Sequence, residues 1–365
     1  MRRSTSSTRE GRRPIHFIVS SRNCVPIRYF GADWVNTIMK QNIVKQPLGG
    51  LSNLGNSCFM NCVLQCLAYA PGLAFFAEHI PNIIYEKNLG KPCFLHHFGE
   101  MCKALRMLPC VTPYVFYNNI EAINPGMKSG FQQDAHEFLF SLLNKFDTEC
   151  AKAFGRAHGS YDTPIYALFG GKLSETRTCQ RCGNENVSDY RFLDITITIE
   201  SNSIESCLEQ FFKSEKLDST YKCENCKKAG TCTHNIIFQE TPQILIITMM
   251  RFTANGSKIE LPVDFGFEID LSSFTAKNVY PYFELFAVIN HDGHELSHGH
   301  FSTFIRCENG NWYSINDSKV IKVPSKSVLM SRPYVLFYKR KPVRMMKPIY
   351  VHFGLNEDSD SEFTE

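Results

Sequence analysis

Gly50-Leu51-Ser52-Asn53-Leu54-Gly55-Asn56-Ser57-Cys58-Phe59-Met60-Asn61 is a Gly/Asn/Ser-rich loop that runs without a break into a segment of helical spacing, Asn61 to Ala70. A cysteine at such a junction, Cys58, is placed for reactivity. A free thiol has a pKa of about 8.5 and is mostly protonated at neutral pH, whereas a helix N-terminus and a neighbouring imidazolium both stabilise the thiolate. Cys62 and Cys66 follow one and two turns later and read as small buried apolar residues.

A cysteine nucleophile needs a base and, for acyl transfer, donors that stabilise an oxyanion. The side-chain amide of Asn53 could supply a donor, or Asn53 could simply hold its own turn. The base is sought in His291-Asp292-Gly293-His294-Glu295-Leu296-Ser297-His298-Gly299-His300-Phe301. A metal site is possible from four histidines so close together. A single base, His300, at the mouth of the strand Phe301 to Arg306 explains more of the pattern, because Trp312-Tyr313-Ser314-Ile315-Asn316-Asp317-Ser318 downstream offers Asn316 or Asp317 to orient the imidazole.

Working outward, Asp134 to Phe146 carries a second helical pattern through Phe138, Leu139, Leu142 and Leu143. After residue 165 the periodicity changes to short β-branched and aromatic runs at Phe192 to Ile199, Ile244 to Thr248, Phe283 to Ile289, Phe301 to Arg306 and Tyr334 to Tyr338. Helices first and strands later predict an α+β fold, a helical lobe packed on an antiparallel sheet. Cys179-Gln180-Arg181-Cys182 and Cys223-Glu224-Asn225-Cys226 are two Cys-x-x-Cys pairs about 40 residues apart. Two such pairs supply four thiolates, which suits one structural Zn2+; Cys232 and His234 are competing ligands nearby.

Together these blocks resemble the ubiquitin-specific protease family of papain-like cysteine peptidases, over about Leu48 to Arg340. The Cys58 segment resembles the family's cysteine box, and Gly299-His300-Phe301 with Trp312 to Val320 its histidine box. Phe131-Gln132-Gln133-Asp134-Ala135-His136-Glu137-Phe138, Leu168-Phe169-Gly170-Gly171 and Arg251-Phe252 match further blocks in the family's order. Ser57 stands where Thr is common, and Phe59 and Phe301 where Tyr is common, so no reacting atom is lost.

The resemblance implies a deubiquitinase in which Cys58 is the nucleophile, His300 the base, Asn316 the third member with Asp317 as the rival orienter, and Asn53 an oxyanion donor. It implies a helical thumb at about 48–165, zinc-tied β fingers at about 170–255 with Cys179, Cys182, Cys223 and Cys226 as ligands, and a β palm to 341. Asp134 and Glu137 would face the Arg-rich tail of ubiquitin, and Gln132, Phe252, His291 and Phe301 would join them as substrate contacts. The partners expected are ubiquitin and ubiquitinated proteins, met by a monomer.

Residues 1–47 read as a basic tail and irregular lead-in, and 342–365 as an acidic, solvated tail. The Arg- and Ser-rich start has no apolar core of a secretion signal, and Glu10 weakens its likeness to a mitochondrial presequence. No apolar run reaches membrane length. An odd count of fifteen cysteines argues against a disulfide scaffold and for an intracellular site, cytosol or nucleus. A net charge of +3 without a basic stripe weighs against nucleic acid.

Overall fold

The computed structural model describes residues 30–41, 44, 46–79, 82–88, 91–155, 162–253, 257–295 and 298–342. The expected basic arm and the acidic tail beyond 342 lie outside these residues.

The helix Cys58–Ala68 is the centre of the molecule, and every residue in it is buried. A mainly apolar helix with no solvent-facing side has its few polar side chains, Asn61 and Gln65, bonded inside the protein. One flank meets the 19-residue helix Ala135–Ala153, where the rings of Phe59 and Phe138 lie 5.7 Å apart. Another meets the strand His298–Arg306 through Cys66 Sγ and Thr303 Oγ1, 3.1 Å apart. Burial pushes the Cys66 thiol up to about 12, so Cys66 is a packing residue, as its spacing predicts.

The main sheet has eight strands. Its path runs Lys319–Val323, Trp312–Asn316, His298–Arg306, Tyr282–Glu295, Pro333–Arg340, Ile244–Met250 and Ile195–Thr198, with Glu268–Asp270 pairing onto Tyr282–Glu295. Strand alternation divides its side chains between two cores. Ile244, Ile246, Val335 and Phe337 face the helical half. Leu245, Ile247, Leu336 and Tyr338 face the other side, where the helix Ile204–Phe212 covers them. Burial on both faces explains why these strands read as unbroken apolar runs.

The sheet is antiparallel as expected except at one edge, where Ile195–Thr198 pairs parallel with Ile244–Met250. The chain between them passes through the helix Ile204–Phe212 and two strands of a second sheet before it re-enters from the same end. Such a long crossover is what a parallel pair needs. The second sheet has four strands in the order Glu185–Phe192, Gly171–Cys179, Ala229–Glu240 and Glu215–Lys222.

The lead-in is also more ordered than its composition predicts. Ala32–Met39 is a helix with Val35 and Ile38 buried. Trp34 stands edge-on to Phe76 at 6.0 Å, and Phe30 packs on Phe154 at 5.3 Å. Apolar residues at i, i+1 and i+4 carry a helical face too short to stand out from the sequence. Among the described residues no helix is long and apolar enough to cross a membrane.

One buried charge holds two helices together. Glu149, 3% exposed, accepts the backbone N–H groups of Phe94 and Leu95, each at 2.9 Å, at the start of the helix Phe94–Met107. Burial raises its pKa while these two amides oppose that rise. Removing the carboxylate strands two helix-terminal donors in the core. Glu149→Ala is therefore expected to cost about 2–4 kcal/mol in urea unfolding, and Glu149→Gln about half as much; a loss below about 0.5 kcal/mol for Glu149→Ala would remove Glu149 from this role.

Candidate active site

The loop before Cys58 is held by its own polar side chains. Gly55 and Asn56 both have positive φ, 95° and 54°, a conformation open to Gly and tolerated by Asn. Asn53 Oδ1 accepts from the backbone of Gly55 (2.9 Å) and Ser57 (3.3 Å), and Asn56 Nδ2 donates to Gly130 O at 2.8 Å. The loop thus delivers Cys58, 3% exposed, as the first residue of its helix.

The four histidines separate sharply. His294 and His298 are exposed and lie 3.5 Å from the carboxylates of Glu260 and Glu295. His291 is buried between Phe252 and Phe301, at ring distances of 5.2 and 4.6 Å, and burial lowers its pKa to about 4. His300 alone meets Cys58. A hydrogen bond with the Cys58 thiol, helped by one from Asn316, pushes His300 up to about 9 against the opposing effect of burial. Among the described residues these histidines form no metal-holding group.

Asn316 and Asp317 divide the work that the sequence left open between them. Asn316 Oδ1 accepts from His300 Nε2 at 2.7 Å, which leaves Nδ1 as the ring nitrogen for the thiol. Asp317 turns the other way. Its Oδ2 accepts from Asn53 Nδ2 at 2.9 Å and its Oδ1 from Asn61 Nδ2 at 2.8 Å, while its backbone oxygen accepts from Leu51 N at 2.9 Å. A φ of 51° at Asp317 lets one residue serve all three. Asn53 is consequently both a turn residue, through Oδ1, and an amide donor held in place by a carboxylate.

The residues expected to contact substrate occupy different environments. Asp134, 7% exposed, is the N-cap of Ala135–Ala153, accepting from His136 N at 2.7 Å and Glu137 N at 3.3 Å, and Tyr334 Oη donates to it at 2.7 Å. Its carboxylate is committed to the fold. Phe252, His291 and Phe301 are 5%, 2% and 4% exposed: His291 packs on Phe252 and Phe301, and those two rings pack on Tyr334. Glu137 stays exposed and accepts from Asn124 Nδ2 at 3.0 Å. Gln132 spans the cleft to Gly299.

Two residues that sequence reasoning passed over belong here. Asn61 joins the cysteine helix to Asp317 and to Ser52 O at 3.2 Å; Tyr334 ties the sheet to the helix cap at Asp134. A buried asparagine inside an apolar helical run was the available signal for the first.

Far along the chain, Cys179, Cys182, Cys223 and Cys226 bring their four sulfurs within 4.8 Å of one another. Each pair sits in a tight turn with a positive φ four residues after its first cysteine, 68° at Gly183 and 59° at Lys227. Four thiolates around Zn2+ at about 2.3 Å stand about 3.8 Å apart, and Cys182 and Cys223 lie 3.7 Å apart. The backbone amide of Asn184 helps hold the Cys182 thiol down at about 6. The rival ligands stand aside: His234 Nε2 pairs with Glu175 at 2.8 Å, and Cys232 lies outside the cluster. The donor set fits a tetrahedral metal.

Residues 49–338 match the family described as ubiquitin carboxyl-terminal hydrolase. The chain is 30% identical over 330 residues to ubiquitin carboxyl-terminal hydrolase 25 of Arabidopsis thaliana, covering 85% of this chain and 50% of that protein. It is 32% identical over 307 residues to human ubiquitin carboxyl-terminal hydrolase 42, covering 80% of this chain and 23% of that one. The chain thus spans half or less of these curated relatives. A solved SAGA Ubp8/Sgf11/Sus1/Sgf73 DUB module bound to ubiquitin aldehyde shares its fold, with a TM-score of 0.72 at 22% identity over 85% of this chain and 74% of the matched one. On the match of its fold-bearing residues 49–338, the chain belongs to the ubiquitin carboxyl-terminal hydrolase family.

Proposed function

We propose that this protein is a thiol-dependent deubiquitinase that hydrolyses the isopeptide or peptide bond after the C-terminal glycine of ubiquitin. The observation that carries this reading is the hydrogen-bonded row of Cys58, His300 and Asn316 at a helix N-terminus. Support for ubiquitin as substrate comes from the family match and from the relatives' names.

Cys58 Sγ attacks the glycine carbonyl carbon as a thiolate whose proton resides on His300. The first N–H groups of Cys58–Ala68 have no acceptor inside the helix, and Asn53 Nδ2 has a second hydrogen beside the one given to Asp317. These donors are aimed at the oxyanion. His300 then returns its proton to the leaving lysine amine, the C–N bond breaks, and a thioester to Cys58 remains. Water, deprotonated by His300, opens the thioester and releases ubiquitin with a free carboxylate. Asn316 keeps the imidazole oriented, and Asp317 keeps Asn53 in place. Glu137, beside a cavity of ≈ 300 Å³ that Asp134, Arg251 and Tyr334 also line, is the acidic group offered to a basic tail.

Zn2+ belongs to this reading as a structural ion that would cross-link the two turns of the four-stranded sheet through Cys179, Cys182, Cys223 and Cys226. An intracellular site, cytosol or nucleus, belongs to it as well, since the nucleophile and the four ligands all require reduced thiols.

The deciding experiment is reaction of the purified protein with a ubiquitin carrying a C-terminal electrophile. One adduct is expected, lost in Cys58→Ala. An adduct that persists in Cys58→Ala, or labelling only by a probe built on another modifier, would overturn the reading.

The pH profile carries a sign. His300 is raised from about 6.5 to about 9, so its imidazolium is fully present below about 6.5 and is lost as pH rises through about 9. The alkaline limb of kcat/KM should fall near 9, and Asn316→Ala should move it lower because that hydrogen bond raises His300. A limb unmoved by Asn316→Ala would take Asn316 out of the catalytic row.

Elemental analysis should find about one zinc per chain. Cys179→Ser with Cys223→Ser should remove it and weaken ubiquitin binding more than it weakens alkylation of Cys58. Protein purified without chelator and free of zinc would end the metal assignment.

A further inference from the structure

Gly299, the residue before the base, has lost its place in the sheet. The pairing of Tyr282–Glu295 with His298–Arg306 goes from Asp292 with His300 to Glu295 with His298, an irregularity that gives Gly299 no partner in the register. On the other side the strand Trp312–Asn316 begins its pairing only at Thr303, three residues beyond His300. A backbone N–H and C=O without ladder partners must find others.

Gln132 supplies both. Its Nε2 donates to Gly299 O at 2.9 Å, and its Oε1 accepts from Gly299 N at 3.1 Å. A carboxamide carries one donor face and one acceptor face, so it can exchange the same pair of hydrogen bonds that a neighbouring strand would. The opposite side of the irregularity is pinned by Lys258, whose Nζ donates to His291 O at 2.6 Å and Gly293 O at 2.9 Å. Residue 299 must also be glycine, because a Cβ there would come within 2.1 Å of His291 Nε2. The bulge cannot shift toward His291, and Gln132 holds it from the cleft side.

Gln132 lies in the loop ahead of the helix Ala135–Ala153, which packs on the helix of Cys58. The amide therefore spans from the nucleophile's half to the residue next to the base. We infer that Gln132 is a positioning residue for His300, its carboxamide standing in for the strand that Gly299 lacks. This rests on the hydrolase reading of Cys58 and His300, and it replaces the expectation that Gln132 contacts substrate.

The test uses the full chain with Gln132→Ala and the isosteric Gln132→Glu, which keeps an acceptor for Gly299 N–H and sets a second oxygen against the Gly299 carbonyl. Two readouts are taken. The first is the pH profile of Cys58 alkylation by iodoacetamide, which needs no ubiquitin. The second is kcat and KM on a ubiquitin C-terminal amide. Loosening the base by even about 1 Å should lower kcat about 10–100-fold with KM changed less than about threefold. Alkylation at pH 7 should fall about tenfold and recover above about pH 9, where an unpaired thiol ionises unaided. A melting temperature within a few degrees of wild type excludes unfolding, and Gln132→Glu serves where Gln132→Ala fails to fold. A raised KM with kcat and the alkylation profile unchanged would make Gln132 a substrate contact and overturn the inference, as would no change in either readout. Wild-type protein that alkylates normally at pH 7 yet cleaves no ubiquitin amide would sink the hydrolase reading alone, leaving the alkylation test of Gln132 intact.

Discussion

Cys58 and His300 come from opposite sides of a seam between a helical layer and a sheet, and no covalent or regular secondary-structure link sets the distance between them. Side-chain hydrogen bonds across the seam do so instead. Asn61 and Asn53 reach from the cysteine side to Asp317, Asp134 receives Tyr334, Cys66 meets Thr303, and Gln132 reaches Gly299. Asp134–Tyr334 and Cys66–Thr303 are buried, where a hydrogen bond is strong and its loss leaves a costly orphan, while the others lie nearer the cleft surface. The seam is therefore specific in register as well as adhesive.

Asp317 carries most on the sheet side. It occupies a hairpin between Trp312–Asn316 and Lys319–Val323, in a left-handed conformation that most residues avoid. That conformation directs Asn316 at the imidazole while its own two carboxylate oxygens point at Asn53 and Asn61. Adjacent residues thus hold His300 and Asn53 separately. Orientation of His300 and placement of Asn53 are coupled through a single turn, so a disturbance of the hairpin reaches both.

The sulfur chemistry shows how environment sorts one residue type into three uses. Within a single helix, Cys58 sits at the positive end beside His300, whereas Cys62 and Cys66 are sealed in the core and burial pushes their thiols well up. In the four-stranded sheet, Cys179, Cys182, Cys223 and Cys226 converge on two turns whose amides point at the sulfurs. Cys232, one strand across from Cys179, is buried and excluded. Dielectric, helix dipole and turn geometry make these distinctions.

By itself the sequence determined the periodic elements and the two Cys-x-x-Cys turns, and it singled out Cys58 and His300, because each is a local pattern: helical spacing after Cys58 and Asp134, alternating apolar runs after residue 165, and paired thiols at knuckle spacing. It even narrowed the imidazole's partner to two neighbours. Which of them it was, only the tertiary structure decided, since the φ of 51° at Asp317 that turns one side chain toward the base and the next away arises from strand pairing. The same holds for Asp134, His291, Phe252 and Phe301, whose burial follows from the layer laid against them, and for the parallel pairing of Ile195–Thr198, set by where a long crossover re-enters the sheet. Gln132 is the plainest case: its partner lies 167 residues away, at a bulge no local pattern announces, and long-range hydrogen bonds leave no periodicity to read.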